Sequence, residues 1–122
     1  MTDGVLNIAF FVLHTSWIAF NCLGWMWRRT RRWHLAAVSL TALSWVGLGV
    51  RYGWGYCPLT DWHWEVRARL GHHDPPSYIQ LLIREVSGID LGPIAADALA
   101  VITLAAVTLL SVVLHGRDRR AL

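Results

Sequence analysis

Residues 53–70, Gly-Trp-Gly-Tyr-Cys-Pro-Leu-Thr-Asp-Trp-His-Trp-Glu-Val-Arg-Ala-Arg-Leu, crowd Cys57, Asp61, His63 and Glu65 into one stretch with two arginines and three tryptophans. A thiolate at Cys57 would be a nucleophile if a base stood beside it, and His63 is the nearest base. Asp61, His63 and Glu65, with His72 and His73 further on, offer oxygen and nitrogen donors to a metal such as zinc. The spacing works against both readings. Side chains two apart share a face on a strand but diverge on a helix, and the chain has no His-x-x-x-His or Cys-x-x-Cys. The expectation is no catalytic residue and no metal site, only a solvated turn and a capped helix with one surface ion pair.

His14 is the other group with chemical potential. It falls near the middle of an apolar segment, where an ionisable side chain faces protein or a water-filled cavity. It could be a proton relay, a polar anchor for a ligand, or a neutral histidine that bonds a neighbouring helix. A candidate ligand set follows: His14 as anchor beneath a lid of Arg51, Cys57, Asp61 and His63. The ligand would be a quinone, a haem or a lipid. Haem fits poorly. His34 and His115 share a depth, but His14 lies about 20 Å away from them by helical rise, and no Cys-x-x-Cys-His is present for covalent attachment. No cofactor is expected, haem and quinone being the ones to look for.

The elements that position these groups are mostly apolar. Of 122 residues 55% are hydrophobic and 16% charged, and the mean hydropathy is +0.40. That size leaves room for one domain, 1–122. All eleven cations are arginine. They cluster as Arg28-Arg29-Thr30-Arg31-Arg32 and Arg117-Asp118-Arg119-Arg120, each abutting an apolar run. Positive flanks on membrane helices look like this, a nucleic-acid-binding stripe does not, and no nucleic acid is expected as a partner.

Three runs are long enough for a hydrocarbon core of about 30 Å: residues 4–27, 33–52 and 93–115. The first lacks a basic leader and a small-x-small cleavage site and reads as a retained helix. Within it Asn7, His14 and Asn21 recur every seven residues on one face. Small and polar residues also line the others: Thr41, Ser44, Gly47 and Arg51 in the second run, Asp97, Thr108, Ser111 and His115 in the third. Gly53-Trp54-Gly55 loosens the second run and Pro58 stops it. Between the second and third runs, residues 60–70 and 77–87 read as two short helices. Thr60 and Ser77 are their caps, Gly71 and Gly88 their ends, Glu65 and Arg69 an i, i+4 ion pair, and Ile79, Leu82, Ile83 and Val86 an apolar stripe. Residues 72–76 read as a turn. The fold class is therefore an all-α membrane protein with three transmembrane helices and an extracytoplasmic cap of two short helices.

Arginine counting sets the threading. The first loop holds four arginines in six residues and the tail three in seven, whereas residues 51–92 hold four against five carboxylates. Positive-inside places the N-terminus and residues 53–92 outside, and residues 28–32 and the C-terminus inside. Trp54, Trp62 and Trp64 would form an outer aromatic belt and Trp25, Trp27 and Trp33 an inner one. Cys22 and Cys57 then lie at opposite interfaces, beyond the reach of a disulfide. The expected partners are the lipid bilayer and, through helix contacts, further copies or a larger membrane complex.

The residues His14…Gly24, the arginine cluster, His34 and Gly55-Tyr56-Cys57-Pro58-Leu59-Thr60 carry a resemblance. Over roughly residues 5–90 the chain resembles a family of small bacterial membrane proteins of unknown function, whose mark is a Cys-Pro-Leu-Thr box after the second span. It is most similar to the branch in which the box continues Asp61-Trp62-His63-Trp64. The resemblance implies a membrane location and no particular activity; in a bacterium the expectation is the inner membrane. Typical members continue Pro-Leu-Glu and carry a later His-Tyr pair. Here Ser77 precedes Tyr78, so no role for a downstream histidine carries over.

Overall fold

The computed structural model describes residues 2–53, 57–75 and 77–121. Among these the structure is helical, without a strand: α1 Thr2–Leu23, α2 Arg31–Leu43, α3 Gly49–Tyr52, α4 Pro58–Arg69, α5 Tyr78–Ser87 and α6 Pro93–Arg120. A 3-10 turn, Gly24–Met26, prolongs α1, and a π-helical turn, Ser44–Leu48, joins α2 to α3. Three continuous helical stretches, Thr2–Met26, Arg31–Tyr52 and Pro93–Arg120, are long and apolar enough to cross a membrane. Trp54, Gly55 and Tyr56, part of the predicted belt and box, and Pro76 of the predicted turn lie outside the described residues.

Several boundaries differ from those read off the sequence. α6 continues to Arg120 rather than stopping at His115: the single Gly116 costs a helix only about 1 kcal/mol, and arginines favour the C-terminal end of the dipole. Pro58 does not simply stop the preceding helix. That helix ends at Tyr52, where Gly53 takes φ 111°, and Pro58 opens α4 as a first-turn proline. Thr60 is thus inside α4, not its cap. Ser77 does stand before α5, but its side chain makes no capping bond; its carbonyl accepts from Leu81 N–H.

The helix ends at Gly71 and Gly88 are as expected. Gly71 has φ 86°, with Gly71 N–H bonded to Ala68 O and His72 N–H to Arg67 O, the paired bonds of a Schellman turn. Gly88 closes α5 at φ 76°. The buried residues of α5 lie beside the apolar stripe, of which Ile79, Leu82 and Ile83 are half-buried. Tyr78, Gln80 and Leu81 are buried, whereas Val86 is exposed.

The chain's contacts fall into two compact units. One comprises His14 and the residues before it with 58–102; the other comprises 15–57 with residues from 103 onward. In the second unit the C-terminal end of α1 is finished by side chains. Carbonyls at a helix end lack intrahelical donors. Here Asn21 O accepts from His34 Nε2 at 2.7 Å, Cys22 O from Trp25 Nε1 at 2.7 Å, Gly24 O from Thr30 Oγ1 at 2.6 Å and Trp25 O from Arg31 Nε at 2.9 Å. Gly24 is required at this corner: a Cβ there would stand 2.8 Å from the Phe20 ring and 3.0 Å from His34. Higher on α1, Asn21 and Trp17 reach α2 at the Thr41 hydroxyl, which accepts from Trp17 Nε1 at 3.0 Å and shares its own proton between Ala37 O at 2.9 Å and Asn21 Oδ1 at 3.3 Å. The arginine-rich connection is tied to α6 by Asp118, whose two oxygens take Arg31 Nη1 at 2.9 and 3.1 Å.

Candidate functional site

In the first unit a buried polar cluster forms where α4 and α5 meet the first half of α1. His63 is its centre. α4 presents His63, Val66 and Arg67 as its buried residues, three positions one helical turn apart or less. The His63 ring is fully buried and lies among Phe10 at 5.4 Å, Phe11 at 4.7 Å, Trp64 at 5.5 Å and Tyr78 at 6.0 Å between ring centroids. Its Nε2 stands 2.7 Å from Asn7 Oδ1. An amide oxygen only accepts, so Nε2 carries the proton. Arg67 Nη1 approaches the same oxygen at 3.4 Å, consistent with that amide orientation.

Arg67 and Asp74 make the strongest contact. The guanidinium donates through Nε to Oδ2 at 2.6 Å and through Nη2 to Oδ1 at 2.9 Å, a bidentate pair with side chains only 6% and 4% exposed. Arg67 also lies over the Phe11 ring, 5.3 Å from its centroid, and Arg84 reaches Asp74 at 3.7 Å. Asp74 is therefore not part of a solvated turn. The Schellman turn at Gly71 folds it back under α4, and Trp64 Nε1 holds the same loop by donating to Pro75 O at 2.9 Å. Trp64 is thus a brace rather than a belt residue, while Trp62 is exposed. The expected Glu65–Arg69 pair is replaced: Arg69 donates to Asp3 on α1, at 3.1 Å from Nη2. That bond raises the arginine's pKa further above its ordinary value.

His14 is buried and stacks on Tyr78, ring centroids 3.7 Å apart and planes 20° from parallel. Tyr78 therefore covers one face of the His14 ring. The Tyr78 hydroxyl points to Phe11 O at 3.5 Å. Of the five candidate ligand residues, His14 and His63 both touch Tyr78. Asp61 is exposed and lines an open groove of about 420 Å³ with Trp64, Glu65, Ala68, His72, His73 and Asp74. Arg51 and Cys57 belong to the other unit. There Arg51 is exposed, 5.7 Å from the Tyr52 ring centroid, and Cys57 is a half-buried free thiol. Among the described residues no three His, Cys, Asp or Glu side chains are grouped to hold a metal.

Burial holds His63 well below the ordinary histidine value, at about 4; the Arg67 cation pushes the same way and Asp74 opposes it. The ring is neutral at physiological pH. Its remaining basic atom, Nδ1, is buried without a hydrogen-bond partner, as is His14 Nδ1. A general base has to reach its substrate within hydrogen-bond distance, and four aromatic rings stand around this one. The arrangement joins α4, α5 and α1.

Asn7, Arg67, Asp74 and Tyr78 were not among the candidates. Asn7 had a signal, its seven-residue spacing from His14. Arg67 and Asp74 had none, since seven residues across a helix end have no fixed geometry.

No curated protein and no solved structure matches the chain. A family of proteins of unknown function, DUF2784, matches it over residues 4–116. With nearly the whole chain covered, from the first turn of α1 to the last turns of α6, this protein is a member of the DUF2784 family.

Proposed function

We propose that the chain is a non-catalytic accessory or scaffold protein of the bacterial inner membrane, acting through helix–helix contacts with further copies of itself or with a larger membrane complex. The observation that carries this reading is that its chemically capable buried groups are engaged within the fold. His63 bonds Asn7, Arg67 bonds Asp74, His34 bonds Asn21 O, and His14 stacks on Tyr78. The Cys-Pro-Leu-Thr box and its Asp-Trp-His-Trp continuation support the bacterial assignment.

The threading keeps the N-terminus and residues 53–92 outside, with residues 28–32 and the C-terminus inside. Two pairings support it. Asp3 meets Arg69 in one unit, and Asp118 meets Arg28 and Arg31 in the other, so each ion pair joins segments assigned to one side. The membrane-impermeant thiol reagent that tests it should label Cys57 in intact cells. Labelling only in inverted vesicles would reverse the orientation.

Along α2, the π-helical turn and α3, Leu40, Leu43, Val46, Gly47 and Val50 are exposed. A Cβ at Gly47 would meet only the Leu43 side chain, at an ordinary 3.5 Å. Gly47→Phe is therefore expected to keep the fold while removing a close-approach point between helices. On a blue-native gel from mild detergent, the wild-type protein should run as an assembly and the Gly47→Phe variant as a smaller species with the same melting temperature. A monomeric wild-type protein would overturn the reading.

A second reading, a quinone, haem or lipid site anchored by His14, is favoured by the unpartnered Nδ1 atoms of His14 and His63. Its signature would be a stoichiometric chromophore or quinone in the purified protein that is lost in His14→Leu.

A further inference from the structure

At the arginine-rich end of the second unit, Arg28, Arg31, Arg117 and Asp118 line a groove of about 300 Å³ with Leu114 and Ala121. The flanking segments 28–32 and 117–120 together hold seven arginines and one carboxylate, Asp118. That carboxylate is committed to Arg31 through both oxygens and lies 3.6 Å from Arg28 Nε. It offsets one of the three cations around the groove and leaves an excess of positive charge. Arg31 is fixed: its Nε donates to Trp25 O, and its side chain is 18% exposed. Arg28, at 68%, projects outward, and Arg117 is exposed.

The groove is amphipathic. Leu114 belongs to the last turns of the apolar run of α6, and Arg117 follows one turn later. A guanidinium presents paired donors that match phosphate oxygens. Basic pockets between helices at the membrane surface hold anionic headgroups in this way.

We propose that this groove binds the phosphate of an anionic phospholipid, with Arg28 and Arg117 as the exposed donors, Arg31 as the fixed one, and Leu114 against the glycerol and upper acyl chain. The proposal rests on the reading of α1, α2 and α6 as membrane spans. Free phosphate shares the headgroup chemistry but has no use for the Leu114 wall.

The test titrates the detergent-purified full chain with phosphatidylglycerol and with phosphatidylcholine, counting bound lipid by native mass spectrometry. Arg28→Gln/Arg117→Gln removes the exposed donors of the groove. Arg29→Gln/Arg32→Gln removes the same charge from exposed positions outside the groove. At about 1 kcal/mol per arginine, the first pair should lose about 30-fold in phosphatidylglycerol affinity. The second should stay within about threefold, because charges outside the groove act through screened solvent. Equal losses in both variants, or no preference for phosphatidylglycerol over phosphatidylcholine, would overturn the site. Displacement of phosphatidylglycerol by millimolar inorganic phosphate would assign the groove to the free ion and overturn the lipid. A chain that stays in solution without detergent would remove the membrane reading itself, a result distinct from these.

Discussion

Removing Asp74 should unfold the first unit more readily than any other single polar change. With Asp74→Ala, the Arg67 guanidinium keeps only neutral neighbours: Asn7 Oδ1 at 3.4 Å and the Phe11 ring at 5.3 Å. Its side chain is 6% exposed, so water cannot take the place of the lost carboxylate. Deleting one partner of a buried pair costs about 3–5 kcal/mol, chiefly because the other charge is left stranded. The opposite deletion, Arg67→Met, leaves Asp74 with Arg84 at 3.7 Å. Asp74→Ala should therefore sit near the top of that range and Arg67→Met near the bottom. The double variant leaves no stranded charge and should cost no more than the worse single change, a coupling of about 3 kcal/mol or more. Reversible unfolding in mixed micelles of rising dodecyl sulfate content measures all four proteins. Tryptophan fluorescence reports on the site, since Trp64 bonds the carbonyl beside Asp74. If Asp74→Ala lies within about 1 kcal/mol of the wild-type protein, and the two single changes simply add, the pair behaves as a solvated surface bridge. The account of the cluster would then be wrong.

Three further outcomes follow from named contacts. His63 titrates at about 4 when folded and at 6.5 when unfolded, so between these values the unfolded chain binds more protons. The stability due to neutral His63 is full above pH 6.5 and falls by about 3 kcal/mol as the pH drops to 4, at roughly 1.4 kcal/mol per unit. His63→Gln should flatten the micelle-unfolding profile over that window. Gly24→Ala forces a Cβ to 2.8 Å from the Phe20 ring and should cost about 1–3 kcal/mol in the same assay, whereas Gly47→Ala should stay within about 0.5. His34→Phe leaves the Asn21 carbonyl without its donor and should cost about 1–3 kcal/mol, with partial recovery in His34→Gln.

The run lengths and the glycine and proline punctuation of this chain already specify three apolar helices, two short ones between the second and third, and turns at Gly71 and Gly88. These features are local: a helix needs only its own neighbours, and a positive φ only a missing Cβ. The seven-residue spacing of Asn7, His14 and Asn21 likewise singled out residues that each meet a partner within their own unit: Asn7 His63, His14 Tyr78, Asn21 Thr41. Which charges pair was not legible. Local rules couple Glu65 with Arg69, leave Asp74 in a solvated loop and leave Asp118 among arginines. In the folded chain Arg69 goes to Asp3, Asp74 to Arg67, and Asp118 to Arg31, 87 residues away. For Asp74, whose side chain is 4% exposed, burial makes the difference. A carboxylate in water needs no particular cation, whereas one enclosed by packed helices needs whichever guanidinium the packing brings near. That choice exists only after the helices have come together.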